Sequence, residues 1–481
     1  MSIKTYDIPY FTGINQAGGE NSLPGRFAVD AVNMDTDGGR LRVASGYYKF
    51  NAAPVPGNGR IELLSSLRTA SGEIPVVMSG GMLYALIGNR WQLVHTSQRQ
   101  GSDVTCDAAM VRIGSADYLV IADGENQLIK FDGESVTDFG SQEGCSDVPV
   151  RFLTMYRGRL FAAGEAENPD RLYYSVLPGG GRTVEDWGYV EASPAVEGGH
   201  IEVGAVGGDP IVAIRALSNQ LLIFKKNSLY RLIGDRPSNY TIERIDADML
   251  TTRHTAIAVY GDMLYFVTRE GLHYYNGVTV RPCPDMRLIK GIMARAELAK
   301  CRAVTVGGKL YFNYTSGMDD EMMVYDLEER KYMRRNGFDI SALAAGAGKL
   351  LMINRKRILY EFGESSSYDG DPIEAYWRTP RTDLGDKAAI KSPRMLYLRG
   401  RGDGIRVDIE LDGRSAAYYA RLSEFDRVRG AEAAEAEARV TEIPVFNEGR
   451  CLSMTFSNVN GGFFELEGGV ELEMGLRRRT E

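Results

Sequence analysis

The chain has 481 residues, with 56 Lys and Arg against 64 Asp and Glu, so its formal net charge is −8 at pH 7. This length suits about three domains, or one large all-β domain with a smaller companion, and 44% apolar with 25% charged residues is typical of a globular protein. The negative charge argues against a protein that coats nucleic acid. The sequence contains no run of 18 apolar residues, so no membrane span is predicted, and Met1–Tyr10 lacks the pattern of a secretory signal.

Glycine and tyrosine are the two residue types in excess. There are 55 Gly, and the 26 Tyr outnumber the 17 Phe and 3 Trp together, which favours many turns and many β-strands. The cysteines are odd in number, far apart and without a C-x-x-C pair, which predicts neither a disulfide framework nor a zinc site and fits synthesis in a reducing cytosol. They are Cys106, Cys145, Cys283, Cys301 and Cys451.

Residues 1–55 carry no hairpin repeat, and we interpret them as an extended β segment that could close a following propeller. Asn33–Tyr47 has the pattern of a strand, a tight Asp-rich turn and a second strand. The turn resembles a calcium loop from Asp35, but Gly46 stands at the twelfth position, where such a loop needs Glu. We therefore predict a turn and no metal ligand here.

Residues 56–370 repeat a glycine or polar turn followed by an apolar–aromatic strand, and most copies continue into a second turn and strand. Seven leucines mark the copies, with spacings near the 40–50 residues of a four-stranded propeller blade except for one gap of 62. These marks are Leu83, Leu119, Leu160, Leu222, Leu264, Leu310 and Leu350. The repeat predicts a six- or seven-bladed β-propeller, with a sandwich array or a β-solenoid as alternatives.

Two stretches interrupt the repeat. Pro178–Pro210 is polar and Gly-rich and predicts an inserted loop. Pro284–Lys300 has apolar residues near helical spacing after Asp285, which predicts a capped helix that covers the core.

From residue 371 the pattern changes to long alternating segments such as Ile405–Gly413 and Phe463–Met474. Such alternation is typical of half-buried antiparallel strands, so residues 371–481 are predicted to form a C-terminal β-sandwich. Gly430–Ala438 is interpreted as an acidic excursion between strands, and Arg477–Arg479 as a solvated basic patch.

Catalytic and ligand-binding patterns are weak throughout. The four histidines, which a usual nucleophilic triad would need, stand outside known catalytic contexts, and His273 on a strand beside two tyrosines is expected to be packed. Gly204–Gly208 has no following helix, and Arg401–Asp403 is most simply a loop. We therefore predict no enzyme, no catalytic residues, no cofactor and no metal, although paired carboxylates of a glycoside hydrolase stay open. The histidines are His95, His200, His254 and His273.

Several strand-and-turn strings follow one another in a recognisable order: Ala31–Met34, Gly39–Arg42, Gly46–Tyr47, Leu222–Gly234, Gly271–Gly277 and Val324–Asp326. Taken together, they resemble the β-propeller head-to-tail and tail proteins of tailed bacteriophages, including packaged-DNA stabilisation and tail-nozzle proteins. The resemblance covers most of the chain but rests on strand patterns, and it departs where Tyr332 stands in place of an expected Trp.

The resemblance implies a structural virion protein without cofactors, located in the neck or tail around the DNA exit path. The partners it implies are further copies in a ring and the portal, adaptor or tail proteins, with non-specific proximity to packaged DNA. The alternatives are a receptor- or glycan-binding propeller at the tail tip, with Trp91, Trp187 or Trp377 as stacking platforms, and a glycoside hydrolase.

Overall fold

The computed structural model of the chain describes residues 2–18, 23–97, 105–140, 148–188, 197–205, 208–245, 252–298, 300–422 and 439–478. Regular structure in these ranges is almost entirely β. Five short strands come first: β1 (Ser2–Ile8), β2 (Asp30–Val32), β3 (Met34–Asp35), β4 (Leu41–Val43) and β5 (Tyr47–Lys49).

Seven antiparallel sheets, here called blades one to seven, follow in chain order. Blade one contains β6 (Ile61–Thr69), β7 (Gly72–Ser79), β8 (Met82–Ile87) and β9 (Arg90–Thr96). Blade two contains β10 (Asp107–Ile113), β11 (Ala116–Ala122), β12 (Ile129–Phe131) and β13 (Val136–Asp138). Blade three contains β14 (Phe152–Tyr156), β15 (Arg159–Ala163), β16 (Arg171–Tyr174) and β17 (Gly199–Glu202). Blades four and five contain β18 (Ile211–Leu217), β19 (Gln220–Lys225), β20 (Leu229–Ile233), β21 (Thr241–Ile245); β22 (Ile257–Tyr260), β23 (Met263–Thr268), β24 (Gly271–Tyr275) and β25 (Val280–Pro282).

Blades six and seven contain β26 (Ala303–Val306), β27 (Lys309–Ser316), β28 (Asp319–Asp326), β29 (Lys331–Arg335); β30 (Ala342–Gly346), β31 (Lys349–Ile353) and β32 (Leu359–Phe362). The fourth strand of blade seven is β5, which pairs antiparallel with β32 so that Tyr47 lies opposite Phe362. The short strands β33 (Ser367–Tyr368) and β34 (Asp371–Pro372) extend the same sheet.

The blades close into a ring. The first strand of each blade contacts the first strand of the next or, between blades four and five, the 3₁₀ turn His254–Ala256, and β30 contacts β6. First strands are therefore innermost, and the last blade packs on the first. The prediction of a propeller is confirmed, and the blade number is seven in the described residues.

Alternating side chains pack successive blades against each other. In β7, Val76 packs against blade two, whereas its neighbour Val77 packs against blade seven. In β11, Leu119 faces blade one and Val120 faces blade three. Since neighbouring residues of a strand point to opposite faces, strands buried on both sides show continuous apolar runs, which explains the repeat in the sequence.

The seven leucine marks do not all fall on the same strand of a blade. Six lie on second strands, but Leu83 lies on β8, the third strand of blade one. The second strand there is β7, so the first spacing of 36 residues is short because it starts one strand late.

The helix predicted over Pro284–Lys300 is much shorter in the structure. Pro284–Ile289 forms a 3₁₀ turn and only α1 (Lys290–Met293) is α-helical, and Asp285 accepts a hydrogen bond from Tyr325 instead of capping. The physical reason lies in Gln16, whose backbone N–H binds the Leu288 carbonyl and whose side chain binds the Ile292 N–H. Those two groups would otherwise pair in a helix. The segment nevertheless covers the core, as expected.

The gap of 62 residues has its insertion between the third and fourth strands of blade three, β16 and β17. Its described part buries Val184 and Trp187 against blades two and three, so this part is packed rather than a solvated loop. Residues 189–196 and 206–207 lie outside the described residues.

The C-terminal strands form a sandwich together with four N-terminal strands. They are β35 (Tyr376–Arg378), β36 (Ile390–Gly402), β37 (Ile405–Leu411), β38 (Arg414–Ala420), β39 (Arg439–Pro444), β40 (Leu452–Asn458) and β41 (Phe464–Arg477). One sheet has the order β3-β4-β41-β36-β39 with β1 also on β41, and the other has the order β2-β35-β40-β37-β38. The acidic stretch Gly430–Ala438 lies outside the described residues.

The N-terminal segment is therefore shared between the two domains. β1 to β4 complete the sandwich, β5 completes blade seven, and Phe11 packs edge-on against Trp377 and Phe456 at centroid distances of 5.7 and 6.1 Å. A sequence boundary near residue 55 does not separate these roles, because β2 to β5 are only 2 or 3 residues long and carry too little pattern to assign partners.

A substitution of Tyr47 tests whether β5 closes the ring of blades. Tyr47 is 8% exposed and stacks on Tyr368 at 4.8 Å. Tyr47→Ala is expected to lower the free energy of unfolding by about 3–5 kcal/mol, because it leaves a cavity at the closing strand. The measurement is urea unfolding of the full chain. Tyr48→Ala on the same strand, where the side chain is 42% exposed, serves as the control and should cost about 1 kcal/mol or less. Equal effects of the two variants would contradict a closing role for β5.

Candidate functional site

The Asp-rich turn near Asp35 is an ion-paired joint between the N-terminal segment and blade six. Asp35 is buried against Arg335, whose Nη1 donates to the Met34 carbonyl at 2.6 Å. Asp30 accepts from Arg334 at 2.8 Å. Burial alone would raise the pKa of Asp35, but the charges of Arg335, Lys309 and Arg42 and the hydrogen bond from Arg335 together outweigh it and hold that pKa below its usual value. These two carboxylates join protein elements and are not gathered around an open cation position.

Charged side chains also bridge the central channel of the propeller. Arg215 of blade four donates to Asp107 of blade two at 2.9 Å and to the carbonyl of His254 at 3.1 Å. The His254 Nε2 lies 3.3 Å from the carbonyl of Cys106, again in blade two. Both contacts join blade two to residues of blade four or just before blade five, which are not its neighbours in the ring. These side chains therefore reach across the channel.

His254 is held neutral at this position. Its pKa is lowered to about 4, mainly by desolvation, with a smaller contribution from the nearby cations Arg215 and Arg302 and with Asp107 acting in the opposite direction. Its ring packs on Phe152 at a centroid distance of 5.1 Å. The arrangement is therefore a packed, neutral histidine inside a charge network.

A basic pocket of about 330 Å³ opens where the inner strands of blades one, six and seven begin. Five cationic side chains and one carboxylate line it, which is a formal charge of +4 among the described lining residues. They are Arg60, Lys300, Arg302, Arg355, Arg357 and Asp320. Sequence reasoning missed this cluster, although the available signal was a cation shortly before β6, β26 and β32.

The sandwich presents two neighbouring sheet edges, β38 and β39. Three apolar side chains there are largely in solvent: Tyr419 at 63%, Val440 at 61% and Phe446 at 80% exposure. The hydroxyl of Tyr418 hydrogen-bonds to the backbone carbonyl and N–H of Phe446 at 2.9 Å and so holds the backbone at Phe446 beside β38. Exposed edge strands with apolar side chains are common sites of pairing with another chain.

Two of the three tryptophans expected as stacking platforms are buried, so that prediction is wrong for them. Trp377 is completely enclosed in the sandwich, and Trp187 stacks on Tyr173 within the insertion of blade three. Trp91 is partly exposed and its indole N–H donates to the carbonyl of Ala53 at 3.0 Å.

The other singled-out residues have structural contacts. His273 is buried and stacks on Phe266 at 5.7 Å, and desolvation lowers its pKa. Arg401 pairs with Glu465 at 3.1 Å, and Asp403 accepts from the N–H of Phe463, so Arg401–Asp403 ends a strand. Tyr332 is buried and stacks on Tyr325 at 4.4 Å.

Within the described ranges, no group of three or more His, Cys, Asp and Glu side chains is placed to hold a metal ion. In the same part of the chain, no helix has the length and apolar character needed to cross a membrane.

Comparisons with known proteins give a general likeness of fold. No family model matches the chain, and no curated protein matches it. Similar solved structures include BBS1N in complex with ARL6DN, at 12% identity and a TM-score of 0.40 over 66% of this chain and 97% of that chain. Another is the extracellular domain of the putative hybrid two-component system BT4673 from B. thetaiotaomicron, at 13% identity and 0.41 over 66% and 40%. Likenesses this distant carry no functional argument.

Asp35→Asn tests the ion-paired joint. It is expected to lower the free energy of unfolding by about 3–5 kcal/mol at pH 7, because Arg335 then keeps a buried charge without its counter-ion. Asp37→Asn is the control, since the Asp37 side chain is 39% exposed and solvent screens its pairs with Lys309, Arg42 and Lys331 at 3.0, 3.4 and 3.7 Å, and it should cost about 1 kcal/mol or less. Chemical denaturation measures both, and similar losses would contradict the assigned joint.

The lowered pKa of His254 leads us to expect that the free energy of unfolding depends on pH. Since the pKa falls from about 6.5 in the unfolded chain to about 4 in the fold, the unfolded state binds the proton first as pH decreases. Stability should therefore be complete above pH 6.5 and fall by up to about 3 kcal/mol towards pH 4. In His254→Gln this part of the slope should disappear in unfolding curves measured across that range, whereas His95→Gln should keep it. An unchanged slope in His254→Gln would refute the assignment.

Proposed function

We propose that this chain is a structural, non-enzymatic protein of a tailed bacteriophage virion. Copies of it form a ring in the neck or tail that surrounds or seals the DNA exit path, in contact with portal, adaptor or tail proteins. The observation that carries the proposal is the sandwich edge of β38 and β39, because it offers each copy an apolar surface for a neighbour. The sequence resemblance to phage head-to-tail and tail proteins supports the same function.

The way in which the two domains are joined suits a mechanical part. The N-terminal segment contributes strands to both the sandwich and blade seven, and Asp35 and Arg335 pair between the segment and blade six. Separating the domains would break several strand pairings and a buried ion pair at once. A ring that contains packaged DNA needs subunits that resist such separation.

The net negative charge is partly localised on one face of the sandwich. Across β1, β41, β36 and β39, one row of paired residues contains Asp7, Glu471, Tyr397 and Glu442. The three carboxylate residues of this row are exposed. A carboxylate surface of this kind repels the DNA backbone, so it fits a face that flanks moving DNA without retaining it.

The edge strands give the direct test of ring assembly. The double variant Tyr419→Asp and Phe446→Asp is expected to abolish self-association, because a charge on each side of a close contact opposes pairing of the edges. Sedimentation velocity of the purified full chain should change from ring-sized particles to monomers, and the variant should be missing from purified virions.

Met318→Asp is the matched control, because Met318 is 93% exposed but lies in the turn between β27 and β28 of the propeller. This variant should assemble normally. A wild-type chain that stays monomeric at all concentrations and is absent from virion particles viewed by cryo-electron microscopy would reject the proposed function.

A further inference from the structure

The basic pocket at the mouth of the propeller channel is unusual in a chain whose net charge is −8. Its cations come from three blades that are distant in sequence: Arg60 precedes blade one, Lys300 and Arg302 precede blade six, and Arg355 and Arg357 lie in blade seven. Like charges brought together in this way repel each other, so this cluster lowers the stability of the folded chain.

The one carboxylate in the lining is already engaged. Asp320 accepts from Arg355 at 2.8 Å and from the backbone N–H of Ile340 at 3.1 Å. Arg357 donates to carbonyls, including that of Val55 at 2.7 Å, so its donors are used but its charge is not neutralised by these contacts. The positive charge of the pocket thus exceeds the negative charge of its described lining.

Lys300 and Arg302 retain donors for a ligand. Lys300 is exposed and makes no hydrogen bond or ion pair with the described residues, and Arg302 uses its guanidinium for one bond there, to the carbonyl of Ile61 at 3.2 Å. Desolvation, together with a smaller repulsion from Arg60, lowers the pKa of Arg302 to about 10. An anion between these side chains would relieve both penalties.

We propose that this pocket binds a small anion that carries two or more phosphate groups. A phosphate combines a charge near −2 with three acceptor oxygens, so cations from different directions can converge on one group, and guanidinium groups match its geometry. The volume of about 330 Å³ exceeds that of a single phosphate and lies at the small end of ligand pockets. The anion would join blades one, six and seven.

A second pocket, between the joint and blade seven, shows the contrast. It is larger, at about 590 Å³, but its cations Arg42, Lys309, Arg335 and Lys349 are accompanied by Asp35, Asp37 and Glu364. Several of these charges already pair with each other, as Lys309 does with Asp37 at 3.0 Å. Excess positive charge therefore distinguishes the mouth pocket from this larger one.

Calorimetric titration of the full chain with tripolyphosphate at low salt tests the proposal. Lys300→Gln is expected to weaken binding about tenfold, and Arg302→Gln by about tenfold to a hundredfold, since each removes a charged hydrogen bond. Lys300 is on the surface, so its variant stays interpretable if Arg302→Gln fails to fold. The control is Arg269→Gln, an exposed arginine between β23 and β24 that does not line the pocket.

Tripolyphosphate binding that is lost in Lys300→Gln but kept in Arg269→Gln supports the proposal. No binding, equal weakening by the Arg269 control, or citrate binding as tight as tripolyphosphate would each overturn it. A short oligothymidylate, with and without a 5′-phosphate, distinguishes the source. If only the 5′-phosphorylated oligothymidylate competes with tripolyphosphate, the natural ligand is assigned to a nucleic-acid end. If neither oligothymidylate competes, the natural ligand is assigned to a free polyphosphate. Both results retain a phosphate ligand.

Discussion

The pairing of β5 with β32 is the constraint on which both domains depend. Tyr47 and Phe362 lie opposite each other although 315 positions separate them in the chain, so closing this contact costs loop entropy that local hairpins do not pay. Once it forms, blade seven is complete, the apolar faces of blades seven and one can pack, and the strands preceding β5 are brought to the sandwich. The propeller and the sandwich are therefore coupled through one short segment.

Ring closure also determines the electrostatics of the molecule. Asp107, Arg215, His254 and Arg302 belong to or immediately precede four different blades, and only a closed ring brings them near one channel. Within the channel their charges are bridged by hydrogen bonds, whereas at its mouth the cations exceed their counter-charges. Burial keeps His254 neutral, and the nearby Arg215 and Arg302 add to that effect, whereas the proposed anion would offset the excess positive charge at the mouth.

The surface features divide between the two domains. The propeller has its basic pocket at the mouth of the channel, while the sandwich carries the apolar edge and the row of carboxylates across β1, β41 and β39. In the proposed ring the edge of β38 and β39 would contact a neighbouring copy, and the carboxylates of β1 and β41, Asp7 and Glu471, would face the DNA path.

Sequence patterns determined the class of fold, because hairpin turns and two-sided strands are local features. They marked all seven blades, although Leu83 falls one strand late, and they separated the long alternating strands of the sandwich. They overestimated the helix after Pro284, because Gln16, 276 residues before Ile292, hydrogen-bonds to the Leu288 and Ile292 backbone groups. They also suggested open faces for Trp187 and Trp377, which are buried. Only the tertiary structure decided where β1 to β5 pair and which cations meet at the channel, because both depend on contacts between blades, and such contacts leave no periodic trace in a single chain.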